Sequence, residues 1–224
     1  MGKIHSIYKT LIDYYGHQGW WPINNKYSEN HKHEKKSPKH QFEISVGAIL
    51  TQNTAWTNVE KALAELKKQN LLSKKAIHQT TTNKLAQTIK SSGYHNQKAR
   101  KLKEFVKQIT TKPTREQLLS IWGIGRETAD SILLYAYNEP IFVIDAYTKR
   151  IFSRLGLFNK DPKNITYDEL QQLFHNNLPK DHKFYNEYHA LIVKHAKQHC
   201  TTIPKCNNCP LRKQCKYEDK NLEP

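Results

Sequence analysis

Residues Leu118 to Leu155 read LLSIWGIGRETADSILLYAYNEPIFVIDAYTKRIFSRL, and the fold turns on this stretch. Just ahead of it, Thr114-Arg115-Glu116-Gln117 is a capping-box pattern, in which hydroxyl and amide side chains satisfy the N–H groups of a helix start. A short apolar helix is expected to follow and to end at Trp122. Gly123-Ile124-Gly125 then forces a tight turn, because two glycines admit positive φ without a Cβ clash. A second helix is expected from about Arg126, with Ala129, Ile132, Leu133 and Ala136 at i, i+3, i+4 and i+7 on one buried face. Helix, glycine turn, helix aims backbone N–H groups out of a helix N-terminus, where an anion is stabilised. By spacing alone, any helix corner with glycines in its turn reads the same way. Past Asn138-Glu139-Pro140 an apolar extended run, Ile141 to Ile144, delivers Asp145 to the start of a third helix, a place that an ordinary N-cap also fills.

The chain has 224 residues, enough for one large domain or two small ones. Its net charge of +16 and pI near 9.6 exceed what solubility requires and read as attraction to a polyanion. Duplex DNA is the first candidate, with RNA and anionic membrane as the others. No apolar stretch is long enough to span a bilayer and no signal-peptide core is visible near Met1, so a cytoplasmic, nucleoid-associated protein with reduced thiols is expected.

The pattern L-x-x-[IW]-G-I-G-x-x-T-A-x-x-I-L, a proline, then V-I-D before a helix resembles the helix-hairpin-helix plus Gly/Pro-Asp motif of the endonuclease III superfamily of DNA glycosylases. The resemblance implies that Gly123 and Gly125, with Arg126 beside them, grip a DNA phosphate and that Asp145 is catalytic. GAILTQNTAWTNVEKAL, residues 47–63, resembles the family loop whose glutamine fills the gap left by an extruded nucleotide. That role falls on Gln52, whose amide both donates and accepts, with Asn53 beside it; polar loop residues that satisfy nearby backbone are the alternative. Gly93-Tyr94-His95-Asn96-Gln97-Lys98-Ala99 resembles a further family segment, which makes Tyr94 and His95 minor-groove candidates, with loop packing as the alternative. Lys98 to Ile109 is expected to be a helix with Leu102, Phe105 and Val106 inward and its lysines outward.

Ile4 to Tyr15 reads as an amphipathic helix, followed by Trp20-Trp21-Pro22. Tryptophans usually pack in a core. The W-W-P resembles the 3-methyladenine branch of the superfamily, in which aromatic residues sandwich the extruded base, so Trp20, Trp21 and Trp56 become candidate walls of a base pocket. Tyr27 to His40 is polar and aperiodic, a solvated loop. Phe42 to Leu50 is expected to be a buried helix, with another to about Lys67, and helices are expected at Ala146 to Leu155, Asp168 to Leu178 and Tyr185 to Gln198. Lys149, Arg150 and Arg154 would form a cationic flank near Asp145, and Lys149 is carried forward as a phosphate contact.

All four cysteines lie near the end of the sequence, Cys200, Cys206, Cys209 and Cys215, spaced C-x5-C-x2-C-x5-C. A structural zinc site usually shows two close pairs, and here only Cys206 and Cys209 are close. Four thiolates on longer loops suit a [4Fe–4S] cluster, and the array resembles the endonuclease III cluster loop with one residue fewer between its first two cysteines. His195 and His199 read as helix-surface residues.

Where bifunctional members of the superfamily carry a lysine that attacks the sugar, this chain has Glu127, eighteen residues before Asp145. A carboxylate cannot form an imine. The resemblance therefore implies a monofunctional glycosylase that extrudes and removes a damaged base, an alkylated purine such as 3-methyladenine. Glu127 would line the base pocket or cap its helix. Removal of deaminated or mismatched bases, and a DNA-binding module without catalysis, are the alternatives. The expected architecture is all-α and monomeric: a helical barrel at 36–139, a second module of 1–35 and 140–224 carrying the cluster, and a DNA cleft between them.

Overall fold

The computed structural model describes residues 2–28, 36–158 and 164–217. Among them are eleven α-helices and no β-strand: α1 (Lys3–Tyr15), α2 (Pro38–Leu50), α3 (Trp56–Lys68), α4 (Lys74–Gln79), α5 (Thr82–Thr88), α6 (His95–Gln108), α7 (Arg115–Ser120), α8 (Arg126–Tyr137), α9 (Ala146–Arg154), α10 (Tyr167–Asn177) and α11 (His182–Gln198). The described residues form two compact units. One holds those within Met1–Trp20, Ser28–Lys32 and Pro140–Pro224, the other those within Trp21–Tyr27 and His33–Glu139.

The second unit is built on α2 and α8. Every residue of α2 from Glu43 to Leu50 is buried, as is every residue of α8 from Thr128 to Ala136. An amphipathic pattern predicts one buried stripe; these two helices are covered on all sides by their neighbours, and polar residues among them, Glu43, Ser45, Thr128, Asp130 and Ser131, are buried as well. α2 starts earlier than its apolar pattern suggests, inside the stretch expected to be a loop. Ser37 accepts from the His40 N–H as N-cap, and Pro38 sits at the first turn, where a missing N–H costs nothing. Within that loop, residues 29–35 lie outside the described residues.

α6 likewise begins at His95, three residues before the expected Lys98. Lys98 corrects the expectation of outward lysines. It is 2 % exposed, and its ammonium donates to the carbonyls of Leu50 (2.8 Å) and Ser92 (2.6 Å). A buried cation persists only with such partners, and here it joins the C-terminus of α2 to the turn before α6.

The first unit is organised around α11, buried continuously from Tyr185 to Val193. α1, ended by Gly16 at φ 67°, and α9 pack on it. Phe142, Phe152, Phe174, Tyr185 and Tyr188 supply an aromatic core, with Phe142 stacked on Phe174 at 3.7 Å between centroids. The Tyr188 hydroxyl, wholly buried, donates to the Ile4 carbonyl and so ties α11 to α1. The apolar run before Asp145 forms neither helix nor strand.

Candidate functional site

Within the second unit, α7 and α8 make the hairpin. Thr114 and Gln117 form the full capping box of α7, which ends at Ser120, two residues short of the expected Trp122, and gives way to a turn. Arg115 binds Asp130 of α8 bidentately (2.6 and 3.0 Å), with the Asp130 side chain fully buried. This fork locks the two helices together. The two glycines differ. Gly123 has φ 83°, and a Cβ there would fall 2.6 Å from the Lys101 side chain. Gly125 has φ −91° and ψ 178°, ordinary extended backbone, and is the N-cap of α8. The expectation that both glycines serve positive φ therefore holds only for Gly123. A Cβ on Gly125 would meet nothing within 4 Å, and no side chain caps the helix there. Arg126 and Glu127 stand exposed in the first turn of α8.

Gln52 lies against this hairpin. Its amide nitrogen donates to the Gly123 carbonyl (3.2 Å) and the Thr128 hydroxyl (2.9 Å), and its oxygen accepts from the Lys101 ammonium. Burial lowers the pKa of that amine from the ordinary lysine value. Asn53 beside it is exposed in the left-handed region at φ 51°. Tyr94, also left-handed, is 64 % exposed, while His95 is half-buried at the start of α6. Lys101 and the exposed Trp122, over whose ring the Arg100 guanidinium stands at 4.0 Å, escaped the reading of the sequence. Their partners are set by packing of α6 on the hairpin, which no local pattern reports.

Trp21 belongs to the same unit. It is buried against Trp56 at 5.0 Å, edge to face, and against Tyr135 at 4.9 Å. Gly47 of α2 makes room for both indoles: a Cβ there would stand 3.4 Å from Trp21 and 3.6 Å from Trp56. The indole N–H of Trp56 is buried without a hydrogen-bond partner, an uncompensated donor of the kind that costs stability.

Trp20 belongs to the first unit, with Asp145. Oδ1 of Asp145 accepts from the backbone N–H and the hydroxyl of Thr148, both at 2.7 Å, so the residue does cap α9. Oδ2 lies 3.5 Å from Nε2 of His189 on α11, with the two side chains only 11 % and 7 % exposed. The Trp20 ring meets His189 edge-on at 6.0 Å. Burial pushes the Asp145 carboxyl up, but His189 and the two Thr148 donors outweigh it and hold the group below the usual aspartate range. The carboxylate is thus kept ionised in a place where burial alone would neutralise it.

Lys149 donates to the Ile165 carbonyl. The expected cationic flank is otherwise turned to another use. Arg150 donates to the Cys200 carbonyl, and Arg154 donates to the Cys200 sulfur (3.3 Å) and to the carbonyls of Thr201 and Thr202. These arginines shape the cysteine loop.

Cys200, Cys206, Cys209 and Cys215 line a single cavity, with Ile151, Leu155 and Leu211 among its apolar walls. Among the described residues no three His, Cys, Asp or Glu side chains converge tightly enough to hold a single metal ion. The four cysteines are thus gathered on one loop region around one cavity, consistent with an iron–sulfur loop. Burial first, and then the other three cysteines, raise the Cys209 thiol to about 11. His195 is not a surface residue. It is 2 % exposed, its Nδ1 meets the Tyr15 hydroxyl at 3.0 Å, and its Nε2 stands 3.8 Å from the Cys209 sulfur. Burial, and then His199, depress its pKa to about 4. The half-buried His199 shares the same tyrosine at 2.7 Å.

An all-helical chain with a glycine hairpin, an aspartate-capped helix beyond it and a four-cysteine loop has the organisation of the endonuclease III fold. Residues 46–180 match the HhH-GPD superfamily of base excision DNA repair proteins, and the chain belongs to that family of endonuclease III-like DNA glycosylases. It is 47 % identical over 95 % of both chains to a Methanocaldococcus jannaschii protein named "Putative DNA repair glycosylase MJ1434". It is also similar to the Helicobacter pylori 3-methyladenine DNA glycosylase MagIII, solved with 1,N6-ethenoadenine bound (28 % identity, TM-score 0.66, 87 % of this chain and 97 % of that one). An endonuclease III trapped as a covalent DNA intermediate superimposes over the full length of both chains with a TM-score of 0.78 at 18 % identity, a likeness of fold. Among the described residues no helix is long and apolar enough to cross a membrane.

Proposed function

We propose that this glycosylase is monofunctional and removes alkylated purines from duplex DNA, with Asp145 as its catalytic group. Two observations carry the reading: Asp145 is nearly buried with its carboxylate held by Thr148 and His189, and, separately, Glu127 stands in the sequence where a lyase would have its lysine. An alkylated purine carries positive charge and leaves readily with the electrons of its glycosidic bond. The remaining requirement is to stabilise the cationic sugar, which a preorganised carboxylate does by electrostatics; water then adds to the sugar carbon and gives up a proton. With a carboxylate at Glu127 in place of the lysine that forms an imine, the strand stays intact.

The other residues divide the work of extrusion. Gly123, Gly125 and Arg126 hold a phosphate at the N-terminus of α8, and Lys149 supports the backbone from α9. Gln52, with Asn53 next to it, exchanges its bonds to Gly123, Thr128 and Lys101 for the orphaned base. Tyr94 and His95 enter the minor groove. Trp56, backed by the buried Trp21, stacks the extruded base and Glu127 borders it, a reading supported by the similarity to the MagIII glycosylase; Trp20 is the aromatic candidate of the first unit. The four cysteines would hold a [4Fe–4S] cluster, which supplies a rigid cross-link of the loop that Arg150 and Arg154 already shape.

The test is release of free base from methylated and from hypoxanthine-containing duplexes, with strand breaks scored before and after alkali. The expected result is free methyladenine, with breaks only after alkali, and loss of release with retained binding in Asp145→Asn. Breaks before alkali would overturn the monofunctional assignment, and release from the hypoxanthine duplex alone would overturn the substrate class.

A further inference from the structure

Asp145 uses its two oxygens differently. Oδ1 receives both Thr148 donors and is occupied as the cap of α9. Capping needs no more than that one oxygen. Oδ2 is turned the other way, toward Nε2 of His189 at 3.5 Å. His189 comes from the buried middle of α11, where Tyr188 on one side is fixed to the Ile4 carbonyl and Ala190 on the other is buried. The imidazole therefore stands on a rigid helix, with the Trp20 ring against its edge.

We propose that His189 is a positioning residue for Asp145: its Nε2 fixes the rotation of the carboxylate and holds Oδ2 as the oxygen presented to the reacting sugar. This rests on the reading of Asp145 as catalytic. A carboxylate anchored only through Oδ1 can rotate about its Cβ–Cγ bond, and a second contact on Oδ2 removes that freedom before substrate arrives. The same contact offsets the desolvation of a nearly buried anion. Nothing in the local sequence marks His189, which lies 44 residues from Asp145 and in no motif that supplied the other site residues.

The experiment uses the full-length, cluster-loaded protein with His189→Phe, His189→Met and His189→Gln. The first two keep the volume of the side chain without a donor, and the third keeps a donor at comparable reach. Base release from methylated duplex is measured under single-turnover conditions, and affinity is measured separately on a duplex carrying a tetrahydrofuran abasic analogue. The 3.5 Å approach is an ion-pair distance that tightens to a hydrogen bond when substrate binds. The expected result is therefore a fall of about 10- to 100-fold in the release rate for Phe and Met, the scale of a lost hydrogen bond to a charged group. Affinity and melting temperature stay near wild type, and Gln recovers most of the rate. Should one of the two apolar variants not fold, the other decides. Wild-type rates in the apolar variants, or a loss of affinity that matches the loss of rate, would overturn the proposal. So would an equal loss in Gln. A wild-type protein that releases no base from methylated DNA instead sinks the reading of Asp145 and its substrate, which keeps the two failures apart.

Discussion

Gly123 and Gly125 show how differently two identical residues in one motif behave. At Gly123 the chain is left-handed and the Lys101 stem fills the space where a Cβ would go. Gly123→Ala should cost about 1–2 kcal/mol from the backbone alone, with more from displacing Lys101, and should lower the urea midpoint. Gly125 is extended, and a methyl group there enters open space. Gly125→Ala sets a smaller unfolded-state entropy against the loss of a favoured N-cap residue, so it should change stability by less than about 1 kcal/mol, yet weaken DNA binding if a phosphate approaches the backbone at that point. Equal stability losses in the two variants would refute this division. Asp145 adds a pH signature. Its folded pKa is depressed, so the unfolded chain binds more protons below about pH 4, the ordinary aspartate range. Its contribution to stability is complete above that range and is lost as pH falls through the lower folded value. The stability difference between wild type and Asp145→Asn should therefore narrow on acidification below about pH 4, read by urea melts at pH 6 and pH 3.5.

The hairpin holds its shape through Arg115 and Asp130 as much as through its glycines. Removing Arg115 leaves a fully buried carboxylate without its fork. Arg115→Ala should cost about 3–5 kcal/mol, whereas replacing both partners with apolar residues of similar volume should cost far less. A thermal melt of the single and double variants checks this; a single variant no worse than the double would show that the pair holds nothing. This scale also shows how far local patterns reach. The capping box at Thr114, the start of α8 at Arg126 and the delivery of Asp145 to a helix start were all legible, because each depends on neighbours within four residues. The start of α2 was missed because Ser37-Pro38 sits inside a polar run whose composition masks its capping signal. The burial of α2 was legible, but that α8 is buried on every side was not, because its polar residues Thr128, Asp130 and Ser131 read as a solvent face and are buried only by tertiary packing.

Net charge acts at the scale of the whole chain, and the structure shows that a part of it is committed within the fold. Of the 36 Lys and Arg residues, Lys98 is buried on two carbonyls, Arg115 is paired with Asp130, and Arg150 and Arg154 are bound into the cysteine loop. Binding to duplex DNA should still weaken steeply with salt, log K falling by about 0.9 per tenfold rise in salt for each phosphate neutralised. Arg126→Ala should lower that slope by about one unit, while Lys98→Met should leave it unchanged and destabilise the fold instead. A change of slope in the lysine variant would show that Lys98 meets DNA.

What the linear chain determined by itself was chemistry bound to short spacing: the helix periods, the hairpin, the aspartate at a helix start, the cysteine array, and the family they imply. These follow from steric and hydrogen-bonding rules that act over a few residues. Only the tertiary structure decided which polar groups meet across long separations. It placed His189 on Asp145, Lys101 on Gln52, Lys98 under the turn before α6, and His195 beside Cys209. Each of these contacts is made by packing one helix on another, and the free energy that selects it comes from burying whole faces, so no run of neighbouring residues carries its signature.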